Sequence, residues 1–165
     1  MNLHIEIIQG SILDVTAQVI VNAANSHGLM GGGVAGVIRR AAGQIVEEEA
    51  REQSPIPVGT AVLTSGGQTA FQGIIHAPTM AEPAMRIPKE NVGYATRAAL
   101  SLADQWGFAS LAFPGMGTGV GHVLFSDAAS QMLNEIQSFS PETLVRIILV
   151  DVDPAMVEAW RNRLA

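Results

Sequence analysis

Residues 21–36 read VNAANSHGLMGGGVAG, and the rest of the chain is organised around this stretch. It follows β-branched residues that predict a buried strand, and it leads into apolar residues at helical spacing. The three consecutive glycines, Gly31, Gly32 and Gly33, need a reason, because glycine loses more backbone entropy on folding than any other residue. Positive φ angles and the close approach of a ligand are the usual reasons. A glycine loop that enters a helix presents unpaired N–H groups, which suit a phosphate.

A second glycine run has the same setting. It follows a predicted buried strand and precedes a predicted helix, with glycine at every second position: Gly115, Gly117, Gly119 and Gly121. In an open α/β sheet, ligands bind at the carboxyl ends of the strands, where such loops lie. Neither run contains a lysine or an arginine, which argues against a nucleotide-triphosphatase loop. Together the two runs predict a cradle for a diphosphate that needs no metal.

Strands and helices alternate along the chain, which predicts an α/β sheet covered by helical layers. The predicted strands cover residues 3–8, 17–21, 60–64, 73–77, 108–113 and 144–150. Four predicted helices cover residues 34–42, 44–52, 91–106 and 154–164. A further predicted helix is capped by Ser126 or Asp127 and ends near residue 139. The acidic run 47–49 is interpreted as a solvated helix face. The proline-bearing loop 78–88 is long, so we expect a mobile rim or lid.

Composition limits the function classes. With 48% apolar and 15% charged residues among 165, we expect one globular domain over residues 1–165. The sequence has no cysteine, which excludes disulfides, thiol catalysis and thiolate metal sites. A net charge of −6 disfavours binding to bare nucleic acid. No apolar run reaches the length of a membrane span and no basic signal region begins the chain, so we expect a cytoplasmic protein.

Residues 31–36 also match the dinucleotide pattern G-x-G-x-x-G, so a nicotinamide-dinucleotide enzyme is a rival hypothesis. In that fold the first glycine follows its strand closely, and an acidic residue ends the next strand about 20 residues further on. Here residues 23–30 separate the strand from the glycines, and the required distance falls on residues 51–53, inside a predicted helix. This context argues against a dinucleotide-binding unit.

Taken together, these features resemble the macrodomain family of ADP-ribose-binding modules, over nearly the whole chain. The most specific motifs are residues 20–25 (IVNAAN), 31–36 (GGGVAG) and 40–43 (RAAG), with support from 58–61 (VGTA), 75–78 (IHAP) and 113–114 (FP). The resemblance implies a three-layer α/β/α sandwich around a mixed, mostly parallel sheet of about six strands. It also implies that the first loop, with Asn25, holds the distal ribose, and that the second loop wraps the diphosphate.

The resemblance further implies the site residues and the ligand. Asn25 and Gly33 are the catalytic candidates, and the expected ligand-binding residues are Ser11, Ile12, Asn22, Ala24, Asn25, Gly31, Gly32, Gly33, Val34, Pro114, Gly115, Met116, Gly117, Thr118, Gly119, Val120, Gly121 and Val152. The implied partners are ADP-ribose, ADP-ribosylated protein and O-acyl-ADP-ribose, with no cofactor and no metal. His27 and His122 lie one in each loop without nearby carboxylates, which is weak support for a metal site. His76, at a strand end, is expected to be structural.

Several positions depart from the family pattern. Ser11 stands where many members carry an aspartate that pairs with the adenine amino group, and Ala35 where hydrolytic members often carry an aspartate. Gly121 replaces an aromatic residue beside the distal ribose, and residues 151–153 replace an aromatic residue against the adenine. The diphosphate and ribose parts of the pattern are retained, whereas its adenine end is altered.

Two functions fit this pattern. A hydrolase would release ADP-ribose from a mono-modified protein or a small ester, with a water held between a substrate phosphate and loop amides while Asn25 orients the ribose. A reader module would bind ADP-ribose and catalyse nothing. Ala35 favours the reader, although some active members of the family also carry alanine there. The intact Asn25 and the triple glycine favour the hydrolase.

Overall fold

The structure is a computed structural model that describes residues 3–165. These residues contain six strands and five α-helices. The strands are β1 (His4–Gln9), β2 (Val19–Asn25), β3 (Val62–Thr64), β4 (Gly73–Met80), β5 (Ser110–Phe113) and β6 (Arg146–Asp151). The helices are α1 (Gly33–Ala42), α2 (Gln44–Glu52), α3 (Glu90–Gln105), α4 (Phe125–Ser138) and α5 (Pro154–Leu164). Within these residues, no helix is long and apolar enough to cross a membrane.

The strands form one mixed sheet in the order β1-β6-β5-β2-β4-β3. Every neighbouring pair is parallel except β3 and β4, which are antiparallel. The predicted six-stranded, mostly parallel sheet is therefore confirmed, with β1 at one edge. Because the parallel strands all point the same way, the segments that follow β6, β5, β2 and β4 come together at one end of the sheet.

Both faces of the sheet are covered by helices. Along β2, Val19 and Val21 pack in the core beneath α3, α4 and α5, whereas Ile20 packs in the core beneath α1 and α2. Successive side chains of a strand point to opposite faces, so a strand buried on both faces is a continuous apolar run. The predicted three-layer α/β/α sandwich is confirmed.

The two central strands run further toward the site than predicted. β2 continues to Asn25 with a shift of register between Ala24 and Asn25, and β4 continues through Pro78 to Met80. Proline lacks the N–H that a ladder needs, which is why residue 78 was predicted to begin a loop. It is accommodated because β3 pairs only with Ile74–His76, which leaves that side of Pro78 free of a partner strand.

The start of α4 differs from the prediction. The helix begins at Phe125 after Leu124, and no side chain caps it. Ser126 and Asp127 lie in its first turn, so neither is the cap. Asp127 still suits that position, because a negative charge in the first turn is stabilised by the helix dipole.

Candidate functional site

A cavity of about 680 Å³ lies at the carboxyl ends of the parallel strands. On one side it is bounded by the segment between β2 and α1, residues 26–32, here called the first loop. On the other side it is bounded by residues 114–124, between β5 and α4, here called the second loop. Its wall is formed by Ala23, Ala24, Asn25, Leu29, Gly31, Gly32, Gly33, Val34, Ala35, Glu47, Thr79, Met80, Pro83, Ala84, Gly115, Gly117, Thr118, Gly119, Val120, Gly121 and Asp151.

Asn25 closes the start of the first loop with its own side chain. Its Oδ1 accepts hydrogen bonds from the N–H groups of His27 at 3.0 Å and Leu29 at 3.3 Å. Its Nδ2 donates to the carbonyl of Leu29 at 3.0 Å. An amide side chain offers two acceptor sites and two donor hydrogens, so the oxygen is fully used and one N–H is left. Asn25 can therefore donate to a ligand in the cavity, while its oxygen stabilises the turn.

Glu47 holds the other end of the first loop. Its Oε2 accepts the N–H of Met30 at 2.7 Å, and its Oε1 lies 3.4 Å from a guanidinium nitrogen of Arg39. The residue is only 9% exposed and lines the cavity. The interpretation of residues 47–49 as a solvated face is wrong for Glu47, because this carboxylate satisfies a buried backbone N–H that precedes the glycines.

Helix α1 points its N-terminus at the cavity without a side-chain cap. Its N-cap residue is Gly32, and the first turn contains Gly33, Val34 and Ala35, all of which line the cavity. The first four N–H groups of a helix have no partner within the helix. Gly33 has φ +58°, a conformation that favours glycine. This end of α1 is therefore a group of free amide donors at the positive end of a helix dipole, which suits an anion.

The glycines of the second loop are not equivalent. A Cβ on Gly121 would lie 2.6 Å from the carbonyl oxygen of Gly117, and one on Gly117 would lie 2.8 Å from Val92. A Cβ on Gly115 would lie 2.8 Å from the Oδ2 of Asp151. A side chain at Gly121 would thus collide with the backbone, whereas one at Gly115 or Gly117 would have to displace neighbouring side chains, and Gly117 also has φ +75°, which favours glycine.

Four glycines of the cavity wall face open space instead, since a Cβ built on Gly31, Gly32, Gly33 or Gly119 meets nothing within 4 Å. Gly33 has a positive φ that favours glycine, whereas Gly31, Gly32 and Gly119 do not. Neither packing nor backbone strain explains these last three glycines, so the space that they leave is available to a ligand that approaches the backbone.

The predicted rim borders the cavity. Met80, Pro83 and Ala84 form part of its wall. Met80 ends β4, and the loop that follows it, with Pro83 and Ala84, is joined to the second loop by the hydrogen bond from the N–H of Ile87 to the carbonyl of Gly121, 3.2 Å long. The same loop is joined to the first loop by His27, whose Nε2 lies 2.8 Å from a carboxylate oxygen of Glu82, so the expectation that this histidine has no nearby carboxylate is wrong.

The charged side chains in the cavity wall are acidic. Among the described residues, the charged side chains that line it are Glu47 and Asp151, with no lysine, arginine or histidine. An anionic ligand must therefore be held by backbone N–H groups and the α1 dipole. Within residues 3–165, no three histidine, aspartate or glutamate side chains come together as a metal site would require.

The structure brings most of the predicted binding residues to the cavity wall, and it places six elsewhere: Ser11, Ile12, Asn22, Pro114, Met116 and Val152. The hydroxyl of Ser11 accepts the N–H of Leu13 and caps the 3-10 turn of residues 12–14. Ile12 and Met116 are buried in the two cores, and Val152 is 71% exposed. These residues lie next to the wall in sequence, but their side chains have other partners or none.

Asn22 belongs to a buried network beneath the cavity. Its Nδ2 donates to the Nδ1 of His76 at 3.1 Å, and the Nε2 of His76 lies 3.0 Å from the hydroxyl of Thr64. Burial lowers the pKa of His76 to about 4, so the ring is neutral at pH 7. The histidine is structural, as predicted, and the same network occupies the amide nitrogen of Asn22.

Sequence reasoning did not assign several wall residues to the site: Ala23, Leu29, Ala35, Glu47, Thr79, Met80, Pro83, Ala84 and Asp151. For two of them, the sequence contains a feature that could have indicated a place in the site. Asp151 is an acidic residue at the carboxyl end of a buried strand. Glu47 lies between Val46 and Ala50 on the buried face of α2. The apolar residues had no such signal, because their side chains resemble those of any core position.

Comparison with known proteins agrees with this geometry. The Macro domain family model matches residues 21–132. An uncharacterized protein of Aquifex aeolicus is 57% identical over 162 residues, 98% of each chain. A mutant macrodomain of Oceanobacillus iheyensis with ADPR is similar in structure, with a TM-score of 0.87 and 29% identity, over 97% of this chain and 91% of that one. The Trypanosoma brucei macrodomain in complex with ADP-ribose has a TM-score of 0.88 and 27% identity, over 98% and 69%. The chain belongs to the Macro domain family.

Proposed function

We propose that this protein binds ADP-ribose in the cavity, with the diphosphate between the first and second loops. The observation that carries the proposal is that Gly31, Gly32 and Gly119 leave open space beside backbone amides from two sides of one cavity. A phosphate can approach such a backbone closely, and the uncapped start of α1 favours its negative charge. The macrodomains with ADPR or ADP-ribose that resemble this chain support the same ligand.

The distal ribose would lie beside Asn25. The free N–H of its side chain can donate to a ribose hydroxyl, while its oxygen remains bound to the first loop. The side chain would thus hold one hydroxyl from a fixed position, because three hydrogen bonds prevent the amide from turning. Such fixed orientation of a reacting ring is a large source of rate acceleration.

We further propose that the protein hydrolyses ADP-ribose adducts, either mono-ADP-ribosylated protein or O-acyl-ADP-ribose. A water held between a substrate phosphate and the N–H of Gly33 would attack the anomeric carbon. The bond from that carbon to the acceptor side chain would break, and the phosphate would take the proton of the water. With an O-acyl ester, the same water would attack the acyl carbonyl, the bond from the acyl carbon to the ribose oxygen would break, and a carboxylate and ADP-ribose would be released, the ribose oxygen taking up a proton. Gly33 suits this role because it starts α1 and lines the cavity.

A reader without catalysis is the second candidate, and specific contacts favour it. Glu47 is bound to Met30 and Arg39, and the oxygen of Asn25 is bound to two backbone N–H groups. Ala35 carries no polar atom. The carboxylate of Glu47 and the amide oxygen of Asn25 thus both hold the first loop, which favours a role in binding, and the proposed hydrolysis relies on a substrate phosphate to accept the proton.

One experiment separates the two candidates. The purified protein is incubated with mono-ADP-ribosylated protein and, separately, with O-acyl-ADP-ribose, and free ADP-ribose is measured by chromatography. Calorimetry on the same preparation measures the affinity for ADP-ribose. Release above the uncatalysed rate supports the hydrolase. Binding without release leaves the reader, and no binding of ADP-ribose overturns both.

A further inference from the structure

Asp151 is an uncompensated charge in the wall of the cavity. Glu47, the other acidic residue there, lies 3.4 Å from a guanidinium nitrogen of Arg39. Among the described residues, no lysine, arginine or histidine lies within salt-bridge distance of Asp151. A negative charge in a cavity built for an anion repels a phosphate that comes close. A phosphate is therefore disfavoured beside Asp151 relative to an uncharged group that donates a hydrogen bond.

The position of Asp151 in the sheet says which part of the ligand it meets. Asp151 ends β6, Asn25 ends β2, and β5 with the second loop lies between them. Neighbouring strands are about 4.8 Å apart, so the two residues are separated by roughly 10 Å across the strand ends. A diphosphate held by the central loops would thus have the distal ribose at the Asn25 end and the base at the Asp151 end.

The carboxylate of Asp151 retains capacity for hydrogen bonds. Its Oδ2 accepts the N–H of Gly115 at 2.9 Å, and its Oδ1 accepts the N–H of Asp153 at 2.9 Å. An ionised carboxylate has about four acceptor sites, so about two are left. The two backbone bonds also fix the orientation of the carboxylate. In the segment that follows the neighbouring strand β1, the hydroxyl of Ser11 accepts the N–H of Leu13.

We propose that Asp151 determines the base specificity of the site by accepting a hydrogen bond from the exocyclic amino group of adenine. The proposal rests on the proposed binding of ADP-ribose. An ionised carboxylate accepts only, so it favours a base that presents an N–H donor and disfavours one that presents a carbonyl or a hydrogen there. A hydrogen bond to a charged group contributes more than a neutral one, which corresponds to at least about a tenfold preference in affinity.

A purely structural role of Asp151 must be separated from this one, because the same carboxylate anchors Gly115. Loss of the anchor would loosen the second loop and weaken every ligand that has the diphosphate. Loss of a base contact would weaken only the ligand with the amino group. The ratio of the affinities for two ligands, one with and one without the amino group, distinguishes these effects. Loosening of the loop weakens both ligands equally and so leaves the ratio unchanged.

The experiment is calorimetry with ADP-ribose and with its purine-riboside analogue, in which a hydrogen replaces the adenine amino group. The wild type should bind ADP-ribose at least about tenfold more tightly than the analogue. In Asp151→Ala the two affinities should agree within about twofold, because the acceptor is gone. Asp153→Asn removes a neighbouring exposed charge and keeps a cap for α5, so it should retain the wild-type ratio.

Three results would decide against the inference. Equal affinities in the wild type, or a ratio that persists in Asp151→Ala, overturn the role of Asp151 while ADP-ribose binding stands. Failure of the wild type to bind either compound overturns the proposed function as well. If Asp151→Ala does not fold, as judged by circular dichroism, Asp151→Asn is used. It removes the charge and one acceptor, and it should reduce the ratio.

Discussion

The carboxylate of Glu47 accepts the N–H of Met30 at 2.7 Å, and this contact joins helix α2 to the residue that precedes the three glycines. Asn25 holds the same loop at its other end through His27 and Leu29. The first loop is thus fixed by side chains on both sides of a glycine run that has few side chains of its own. Its amides are held in place before a ligand arrives, which reduces the ordering entropy lost on binding.

Glu47→Ala should destabilise the protein and weaken ADP-ribose binding together. The substitution leaves the N–H of Met30 unsatisfied, which costs about 1–3 kcal/mol in the free energy of unfolding. Urea denaturation and calorimetry measure the two effects. Glu48→Ala, at the exposed neighbour, should change neither. A Glu47→Ala variant with wild-type affinity would mean that Met30 does not position the glycines.

Gly119→Val should abolish most of the binding and leave the fold intact. A Cβ at this position meets nothing in the protein within 4 Å, so a side chain there should extend into ligand space. We expect an affinity loss of about 2 kcal/mol or more, as for the dominant residues of binding sites. Calorimetry and the melting temperature check this. Gly121→Ala provides the contrast: its Cβ would lie 2.6 Å from a carbonyl oxygen, so it should lower the melting temperature.

Asn25→Ala distinguishes a catalyst from a reader. In a hydrolase, turnover should fall about 100-fold because the ribose loses its orientation, whereas affinity should fall less, by about 0.5–1.5 kcal/mol for the lost ligand bond together with the cost of ordering a looser first loop. Stability should fall too, since three hydrogen bonds within the first loop are removed. Kinetics and calorimetry must therefore be run well below the melting temperature. Equal losses of turnover and affinity would argue against an orienting role.

Acidification should destabilise the protein through His76. Burial lowers its pKa from 6.5 to about 4, so above pH 6.5 the ring is neutral in both the folded and the unfolded state. As the pH falls below 6.5, the unfolded state takes up a proton that the folded state does not, and stability decreases until about pH 4. Between pH 6.5 and 5 we expect a loss of up to about 2 kcal/mol. Urea denaturation of the wild type and His76→Gln checks this, because the variant should lack most of the slope.

A chelator should not change the affinity for ADP-ribose. Among the described residues, the charged side chains that line the cavity are two separate carboxylates, and in the proposed complex backbone N–H groups would supply the donors for the diphosphate. Calorimetry before and after treatment with EDTA measures this directly. Binding that appears only when a divalent cation is added would contradict a cradle made of amides.

The fold was predictable from the sequence because its signals are local. Each buried strand is a continuous apolar run, and Gly43 separates α1 from α2 where a break was predicted. The ends of β2 and β4 were not predictable, because they depend on pairing between strands distant in sequence. Pro78 is the clearest case: its place in a strand depends on how short β3 is.

The candidate site was predictable where glycine marks it and not where ordinary side chains form it. Both glycine runs reach the cavity wall. The roles of Glu47 and Asp151 depend on backbone N–H groups 17 and 36 residues away, and no local pattern shows such contacts. Asn22 and Ser11 have side chains suited to a ligand, but neither lines the cavity: the Nδ2 of Asn22 donates to His76, and the hydroxyl of Ser11 accepts the N–H of Leu13.

The difference between crowded and open glycines has a consequence for protein engineering. Positions whose glycine is demanded by packing restrict any mutant library, because most of its members will misfold. Positions that face open space can accept a new Cβ without disturbing the scaffold, but a side chain there fills the space assigned to the diphosphate. Substitutions at Gly31, Gly32 and Gly119 should therefore yield folded proteins that no longer bind, which are the controls needed to trace a cellular effect to the ligand, whereas substitutions at Gly115, Gly117 and Gly121 perturb the scaffold as well.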